Sequence, residues 1–265
     1  FEKRPGGSAG NSALALSGMA VPHLYVGSTG SDEAGKWLQT RFDPRYTHWQ
    51  ERGEETTLTI GIVHKGGNRA FFTTPGHLKR QDPLLDLENV PDAPPGSAIA
   101  LISGSFLLPK YVAHMEHLFQ VLKDRGWTLA VDPGWPPEGW CQASQYHLDL
   151  CFEHSDYLLL NEDELTGFTD LPVSDAFEAI QVRIKADQCL IVKQGEQGAS
   201  VLQNGNLISV TSPDIQVIDT VGAGDTFNAA FLAARQQGAD LTKALEAGTR
   251  TAARAISSFP RVYQA

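Results

Sequence analysis

The 265-residue sequence predicts a single α/β domain, residues 1–265, built on a mainly parallel central sheet, and three observations carry that expectation. Short apolar runs of strand type alternate with amphipathic helical stretches between residues 98 and 192. The polar clusters of that region fall at the ends of the apolar runs. Further on, Ile218-Asp219-Thr220-Val221-Gly222-Ala223-Gly224-Asp225-Thr226-Phe227-Asn228 passes from an apolar run, over a small-residue turn, into an alanine-rich helical pattern. Hydrophobic residues at 42% and charged residues at 20% are globular values, and a chain of this length buries a sizeable core.

Taken in order, Gly6-Gly7-Ser8-Ala9-Gly10-Asn11 is a glycine turn feeding a helix over residues 12–19, with Asn11 offering a donor and an acceptor at its start. In the next glycine-bearing stretch, residues 26–35, Asp32 reads as a helix N-cap. Residues 56–63 and 69–74 are β-rich around Lys65-Gly66-Gly67-Asn68 and predict a hairpin, and residues 81–95 read as a surface connection. A strand over 98–102, an amphipathic helix over 110–123 and a strand over 128–131 ending in Asp132-Pro133-Gly134 follow. A strand over 157–160 runs into Asn161-Glu162-Asp163-Glu164, a helix covers 174–185, and a strand covers 189–192. Such alternation implies parallel strands joined by crossovers, with ligands gathered at the strand C-terminal ends.

Lys193-Gln194-Gly195-Glu196-Gln197-Gly198 leads to a second hairpin, residues 200–202 and 207–210, around Asn204-Gly205-Asn206. Residues 215–218 read as a strand before the glycine turn. The helix after the turn places Phe227, Ala230, Phe231 and Ala234 on one face, and a last helix over 241–256 turns Ala244, Leu245, Gly248 and Ala252 inward.

Charge and cysteine usage exclude several function classes. A net charge of -10 argues against a general nucleic-acid or anionic-membrane surface. Cys141, Cys151 and Cys189 are odd in number and widely spaced, which suggests neither a disulfide framework nor a zinc site and fits a reducing cytoplasm. No apolar run approaches the ~20 residues that span a bilayer.

A glycine turn into a helix leaves the first N–H groups unpaired and aimed outward, and with the helix dipole they favour an anion. Gly222 and Gly224 let a phosphate approach the backbone, and Asp225 stands beside it as a group able to take a proton from an attacking hydroxyl. On these four residues alone, an ordinary N-cap accounts for Asp225 equally well.

The longer string Asp219-Thr220-Val221-Gly222-Ala223-Gly224-Asp225-Thr226-Phe227-Asn228 resembles the C-terminal signature of the ribokinase family, the PfkB-type carbohydrate kinases. Gly6-Gly7-Ser8-Ala9-Gly10-Asn11 resembles its N-terminal sugar-binding segment, and residues 27–35 resemble its G-x-x-G-x-D-x-x-G. The resemblance implies a ribokinase-like three-layer sandwich with a small β lid, drawn from residues 56–75 and from residues near the N-terminus. It implies an ATP-dependent kinase acting on a hydroxymethyl group of a small sugar, a phosphotransferase with an alcohol acceptor. Asp225 would be the catalytic base, and Gly222, Ala223 and Gly224 the anion hole. Gly6, Gly7 and Asn11 would hold the sugar. Asn161, Lys193, Gly195, Gly198 and Thr220 would lie on the nucleotide side, and Asn161 and Glu164 would organise Mg2+ mostly through water. Asp219 would be the remnant of a monovalent-cation site for K+, and a homodimer through the lid strands is the implied assembly. Lys193 has a plainer reading as a solvated strand-end lysine, and Glu164 as an exposed helix cap.

The sequence departs from the family's pattern at its start. The strand and sugar-binding aspartate that open the family's chains have no counterpart before Gly6: either a segment precedes this sequence, or the sheet and the sugar site are incomplete. Two other functions stay open, a nucleoside kinase on the same scaffold and a non-catalytic regulatory member of the family.

Overall fold

The computed structural model describes residues 3–63, 69–96 and 98–264. The N-terminal third contains helix α1 (Ser8–Gly18), strand β1 (Tyr25–Thr29), helix α2 (Glu33–Gln39), strand β2 (Thr47–Glu51), strands β3 (Thr59–Val63) and β4 (Arg69–Thr73), and the single turn α3 (Pro83–Asp86). Strand and helix then alternate: β5 (Ile99–Ser103), α4 (Pro109–Asp124), β6 (Thr128–Asp132), α5 (Gln142–His154), β7 (Tyr157–Asn161), α6 (Glu162–Thr169), α7 (Val173–Gln181) and β8 (Cys189–Lys193). The hairpin β9 (Ala199–Gln203) and β10 (Asn206–Val210) precedes the last two helices, α8 (Ala223–Gln236) and α9 (Leu241–Ile256).

The central sheet runs β10-β9-β8-β7-β6-β5, with β5 to β8 parallel and the last hairpin antiparallel. Its inner strands β6, β7 and β8 are apolar on both faces because both faces are covered. Leu129, Val131, Leu158, Leu160, Leu190 and Val192 pack under α4 to α7, against Phe119, Leu148, Leu165 and Ile180. Their alternating neighbours Ala130, Leu159, Cys189 and Ile191 pack under α8 and α9, against Phe227, Phe231 and Leu245. Two helical layers therefore enclose one sheet, the three-layer α/β/α arrangement that the family resemblance implies.

β1 and β2 form a separate parallel pair, and β3 and β4 a separate antiparallel one. Helix α1 contacts both β1 and β5, yet those two strands are not paired with each other among the described residues. A buried polar group links the small sheet to the rest: Asp86 accepts from Arg52 (3.1 Å), Gln81 (3.0 Å) and Tyr111 of α4 (2.7 Å), and Ser28 of β1 donates to Gln81 (2.8 Å). Residues 81–95 are therefore not a mere surface connection. Asp82 caps α3 by accepting from Leu84 N–H, Pro83 stands in its first turn, and Gln81, Asp86 and Leu87 are buried.

The β3–β4 hairpin forms with Ile60 opposite Phe72, and its expected turn, Lys65 to Asn68, lies outside the described residues. Leu58, Ile60, Ile62 and Phe72 are exposed, with Phe72 at 61% and Leu58 at 54%. Asp32 is the N-cap of α2, as expected, accepting from Gly35 N–H. The second hairpin turns on Asn204 and Gly205, both at positive φ (50° and 74°), the pattern of a two-residue turn matched to strand twist.

Three further expectations fail. Residues 215–218 are not a strand. They form an exposed approach to α8 whose Ile218 and Asp219 N–H groups both donate to the Ile256 carbonyl at the end of α9. Helix α1 begins at Ser8 with Gly7 as its N-cap (φ 89°), which places Asn11 one turn inside the helix. Helix α7 ends at Gln181, short of residue 185, and α5 adds a helix on a stretch without strong periodicity.

Candidate active site

Three parallel strands end together in polar residues, β6 in Asp132, β7 in Asn161 and β8 in Lys193, with Asn161 and Lys193 directly opposite each other. The start of α8 is placed over this row. Gly222 is its N-cap in the left-handed region (φ 72°), a conformation glycine adopts without strain, and a Cβ there would stand 2.9 Å from Asn11 Nδ2. Helix α1 packs along α8, so that Asn11 Nδ2 donates to Asp225 Oδ2 (2.8 Å) and Ser12 Oγ to the Asp225 carbonyl (3.0 Å). The glycine turn, the first turn of α8 and the first turns of α1 thus converge on one carboxylate.

Burial, and then the Asp132 charge, push the Asp225 pKa up to about 7; the Asn11 hydrogen bond and the Lys193 and Arg261 charges pull in the other direction. Such a carboxylate is poised to exchange a proton near neutral pH.

Lys193 is not solvated. Its Nζ donates to Asp132 Oδ2 (2.6 Å) and Asn228 Oδ1 (3.2 Å), and Asn228 Nδ2 donates to Asp132 Oδ2 (2.5 Å). Burial opposes the charge, but the Asp132 and Glu164 carboxylates outweigh it and hold the ammonium above its ordinary pKa. A Cβ at Gly224 would stand 3.6 Å from the same Nζ, so this buried charge lies beside the glycine turn.

Asn161 and Glu164 make a reciprocal capping box at the start of α6: Glu164 N–H donates to Asn161 Oδ1 (2.7 Å), and Asn161 N–H to Glu164 Oε2 (2.8 Å). Glu164 is buried rather than exposed, and burial, then Asp132, raise its carboxyl pKa. Gly195 (φ 57°) and Gly198 (φ 104°) frame the turn after β8, and a Cβ on Gly198 would reach within 1.9 Å of the Val210 carbonyl. Thr220 is exposed, its carbonyl accepting from Ala223 N–H. Gly6 and Gly7 are exposed, with open space where a Cβ would stand. Asp219 accepts from Arg4 Nη1 (2.6 Å) and Arg261 Nη2 (3.0 Å).

Two clefts are formed among the described residues. One, of about 290 Å3, is bounded by Thr211, Ser212 and Pro213 after β10 and by Glu246, Thr249 and Arg250 of α9. The other, of about 440 Å3, lies between Trp135 and Asp163, Thr166 and Gly167 of α6. Ala244, Leu245 and Gly248 face α8 rather than the first cleft, with Phe227 against Gly248.

A profile for the pfkB family carbohydrate kinases matches residues 1–259. The chain belongs to that family. Among its relatives are the ribokinase of Bacillus subtilis, 25% identical over 98% of this chain and 83% of the relative, and a probable fructokinase-3 of Arabidopsis thaliana, 28% identical over 88% and 69%. The fold is that of a putative ribokinase II from E. coli, which superposes with a TM-score of 0.84 in its apo form and 0.78 in complex with ATP and Mg2+. In both forms the identity is 20%, covering all of this chain and 87% of that one. Like other members of the PfkB family, the protein is a kinase, a phosphotransferase with an alcohol acceptor.

The expected catalytic and sugar-side residues meet at Asp225 and Asn11, while Asp132, Asn228 and Arg261 enter the site without having been expected. Lys193 carried a usable signal for Asp132: a lysine ending an apolar run buried on both faces needs a counter-ion, and strand-end aspartates are its nearest source. Nothing in the local sequence marks Arg261.

Proposed function

We propose that this kinase transfers the γ-phosphoryl group of ATP to a hydroxymethyl group of a small carbohydrate, with Asp225 as general base and the Gly222, Ala223 and Gly224 amides as the anion hole. The observation that carries the reading is the Asp225 carboxylate, held by Asn11 in the first turn of α8 with a pKa raised to about 7. In this reading Asp225 accepts the hydroxyl proton as the oxygen attacks phosphorus. The dipole of α8 and the N–H groups at its start then stabilise the charge spreading over the phosphoryl oxygens, Ala223 N–H turning to them from the Thr220 carbonyl it meets in the structure (3.1 Å). Gly6 and Gly7 leave room for a sugar beside Asn11, whose amide fixes the base toward it.

The residues present fit a nucleotide. Thr249 Oγ1 is buried with no hydrogen-bond partner among the described residues, and it borders the cleft of about 290 Å3 beyond β10, whose Thr211 and Ser212 lie against Gly198. The complex of the E. coli relative with ATP and Mg2+ supports the same choice of ligands. Asn161 and Glu164 are satisfied by each other, so they fit Mg2+ through its water shell; no group of three or more His, Cys, Asp or Glu among the described residues forms a metal cage. When bound, Mg2+ supplies charge neutralisation at the phosphates. Lys193 serves this side through its field, its protons being engaged by Asp132 and Asn228.

The exposed apolar face of Leu58, Ile60, Ile62 and Phe72 supports a lid that closes over the sugar and pairs with a second copy of the chain.

The test is coupled ADP release with Mg2+ against ribose, fructose, other ketohexoses, 2-keto-3-deoxygluconate, adenosine and inosine. Release with one sugar is the expected outcome and identifies the substrate. Release with nucleosides alone replaces the acceptor with a nucleoside, and ATP binding without release on any acceptor points to a regulatory role.

A further inference from the structure

The turn that presents the anion hole is fastened from below by a side chain from the far end of the sequence. Arg261 Nη2 donates both to Asp219 Oδ2 (3.0 Å) and to the Val221 carbonyl, while Nη1 lies where it would stand 3.2 Å from a Cβ at Gly222. Asp219 in turn accepts from Val221 N–H (3.1 Å) and from Arg4 Nη1 (2.6 Å), and its own N–H is held by the Ile256 carbonyl. Burial works against its charge, but the Val221 N–H, Arg261 and Arg4 together keep the Asp219 carboxyl below its ordinary pKa. The Arg261 side chain is about one-fifth exposed, half as much as Arg4.

A carboxylate and a main-chain carbonyl converging behind a phosphate-binding turn are the hard oxygen donors a monovalent cation takes. Here both face a guanidinium. K+ does not fit beside it: the ion would have to displace Arg261 from both oxygens and would then stand against two positive side chains. We propose that the Arg261 guanidinium is a resident cation that replaces a bound monovalent ion, locking the turn from Asp219 to Gly222 and adding positive charge behind the anion hole. Phosphoryl transfer by this chain is then independent of K+. The inference rests on reading Gly222 to Asp225 as the anion cradle. Arg261 is a positioning residue, because it acts on the transferred group through the turn.

The experiment has two readouts. In the first, the thermal midpoint of the parent chain and of Arg261→Ala is recorded in KCl and in tetramethylammonium chloride at equal ionic strength. The parent is expected to melt at the same temperature in both, and Arg261→Ala to be stabilised by K+ or by millimolar guanidinium. In the second, turnover of the parent on its best acceptor should change less than about twofold on adding K+, while Arg261→Ala should lose about tenfold or more in kcat and recover with K+ or guanidinium. Arg261→Lys, which keeps one cation but not the fork, should retain activity between the two.

K+ stabilising or strongly activating the parent would overturn the proposal, as would an Arg261→Ala variant that folds and works fully without added cation. If Arg261→Ala fails to fold, the parent's indifference to K+ and the graded loss in Arg261→Lys still decide the question. If the parent turns over no acceptor, the proposed function fails, while the melting comparison continues to test Arg261.

Discussion

Asp225 is held at a cost that its proposed role as general base would explain. Its pKa of about 7 lies above the ordinary carboxylate value of 3.8, so the folded protein takes up a proton that the unfolded chain does not, and stability falls as pH rises between those two values. Asp225→Asn removes that loss and should melt higher than the parent at pH 8 in a calorimetric scan. The same substitution should lower kcat by about 10²- to 10⁴-fold with ATP affinity largely kept, because an amide accepts no proton. The parent's kcat/KM should rise with pH through about 7 and fall about tenfold per unit well below it, since the base must be ionised in the free enzyme. A flat profile from pH 5 to 9, with chemistry rate-limiting, would remove Asp225 from the role. Lys193 makes the complementary case. Lys193→Met leaves Asp132 buried without its counter-ion and should destabilise by about 3–5 kcal/mol in chemical denaturation. Adding Asp132→Leu should return much of that stability without returning activity.

Among the elements, those with long apolar or periodic patterns were legible in the sequence. Residues 241–256 form α9, the parallel strands β5 to β8 fall within a residue of their expected ends, and the Asn204-Gly205 turn closes its hairpin, whereas the parallel pair β1 and β2 was not expected. What escaped was set by tertiary partners. Residues 215–218 are apolar enough for a strand, but the N–H of Ile218 finds the end of α9 instead of a sheet edge. Residues 81–95 lack periodicity in part because two of their buried members, Gln81 and Asp86, are polar and are satisfied by Arg52, Ser28 and Tyr111 from elsewhere in the chain. The site followed the same division. The motif carried Asp225, its glycines and Asn228, though no role for Asn228, while Asp132 and Arg261 lie 93 and 36 positions from Asp225 and meet it only through the fold. Glycine positions sort by element as well. Gly198→Ala should cost more than the ~1–3 kcal/mol of backbone strain alone, because its Cβ also strikes the Val210 carbonyl of β10. Gly195, with open space around it, should tolerate alanine better, and equal melting losses for the two would refute this assignment.

For the molecule as a whole, the apolar face of the β3–β4 hairpin is the surface least suited to remain in water. If two copies bury it together, sedimentation at micromolar concentration should give twice the chain mass. Ile60→Lys should then yield a monomer of unchanged melting temperature; a parent that sediments as a monomer would restrict this face to covering substrate.

The small sheet is joined to the central one by side chains around Asp86 and by α1, with no ladder of main-chain bonds between β1 and β5 among the described residues. A seam of that kind breaks as a unit. In native-state hydrogen exchange, the amides of β1 and β2 should open together at a lower free energy than those of β6, β7 and β8, in a cooperative sub-global step that leaves the central sheet protected. Since α1 carries Asn11 and sits across that seam, such an opening would loosen the hold on the Asp225 carboxylate before the core is disturbed. Loss of turnover should accordingly precede loss of far-UV circular dichroism as denaturant is raised.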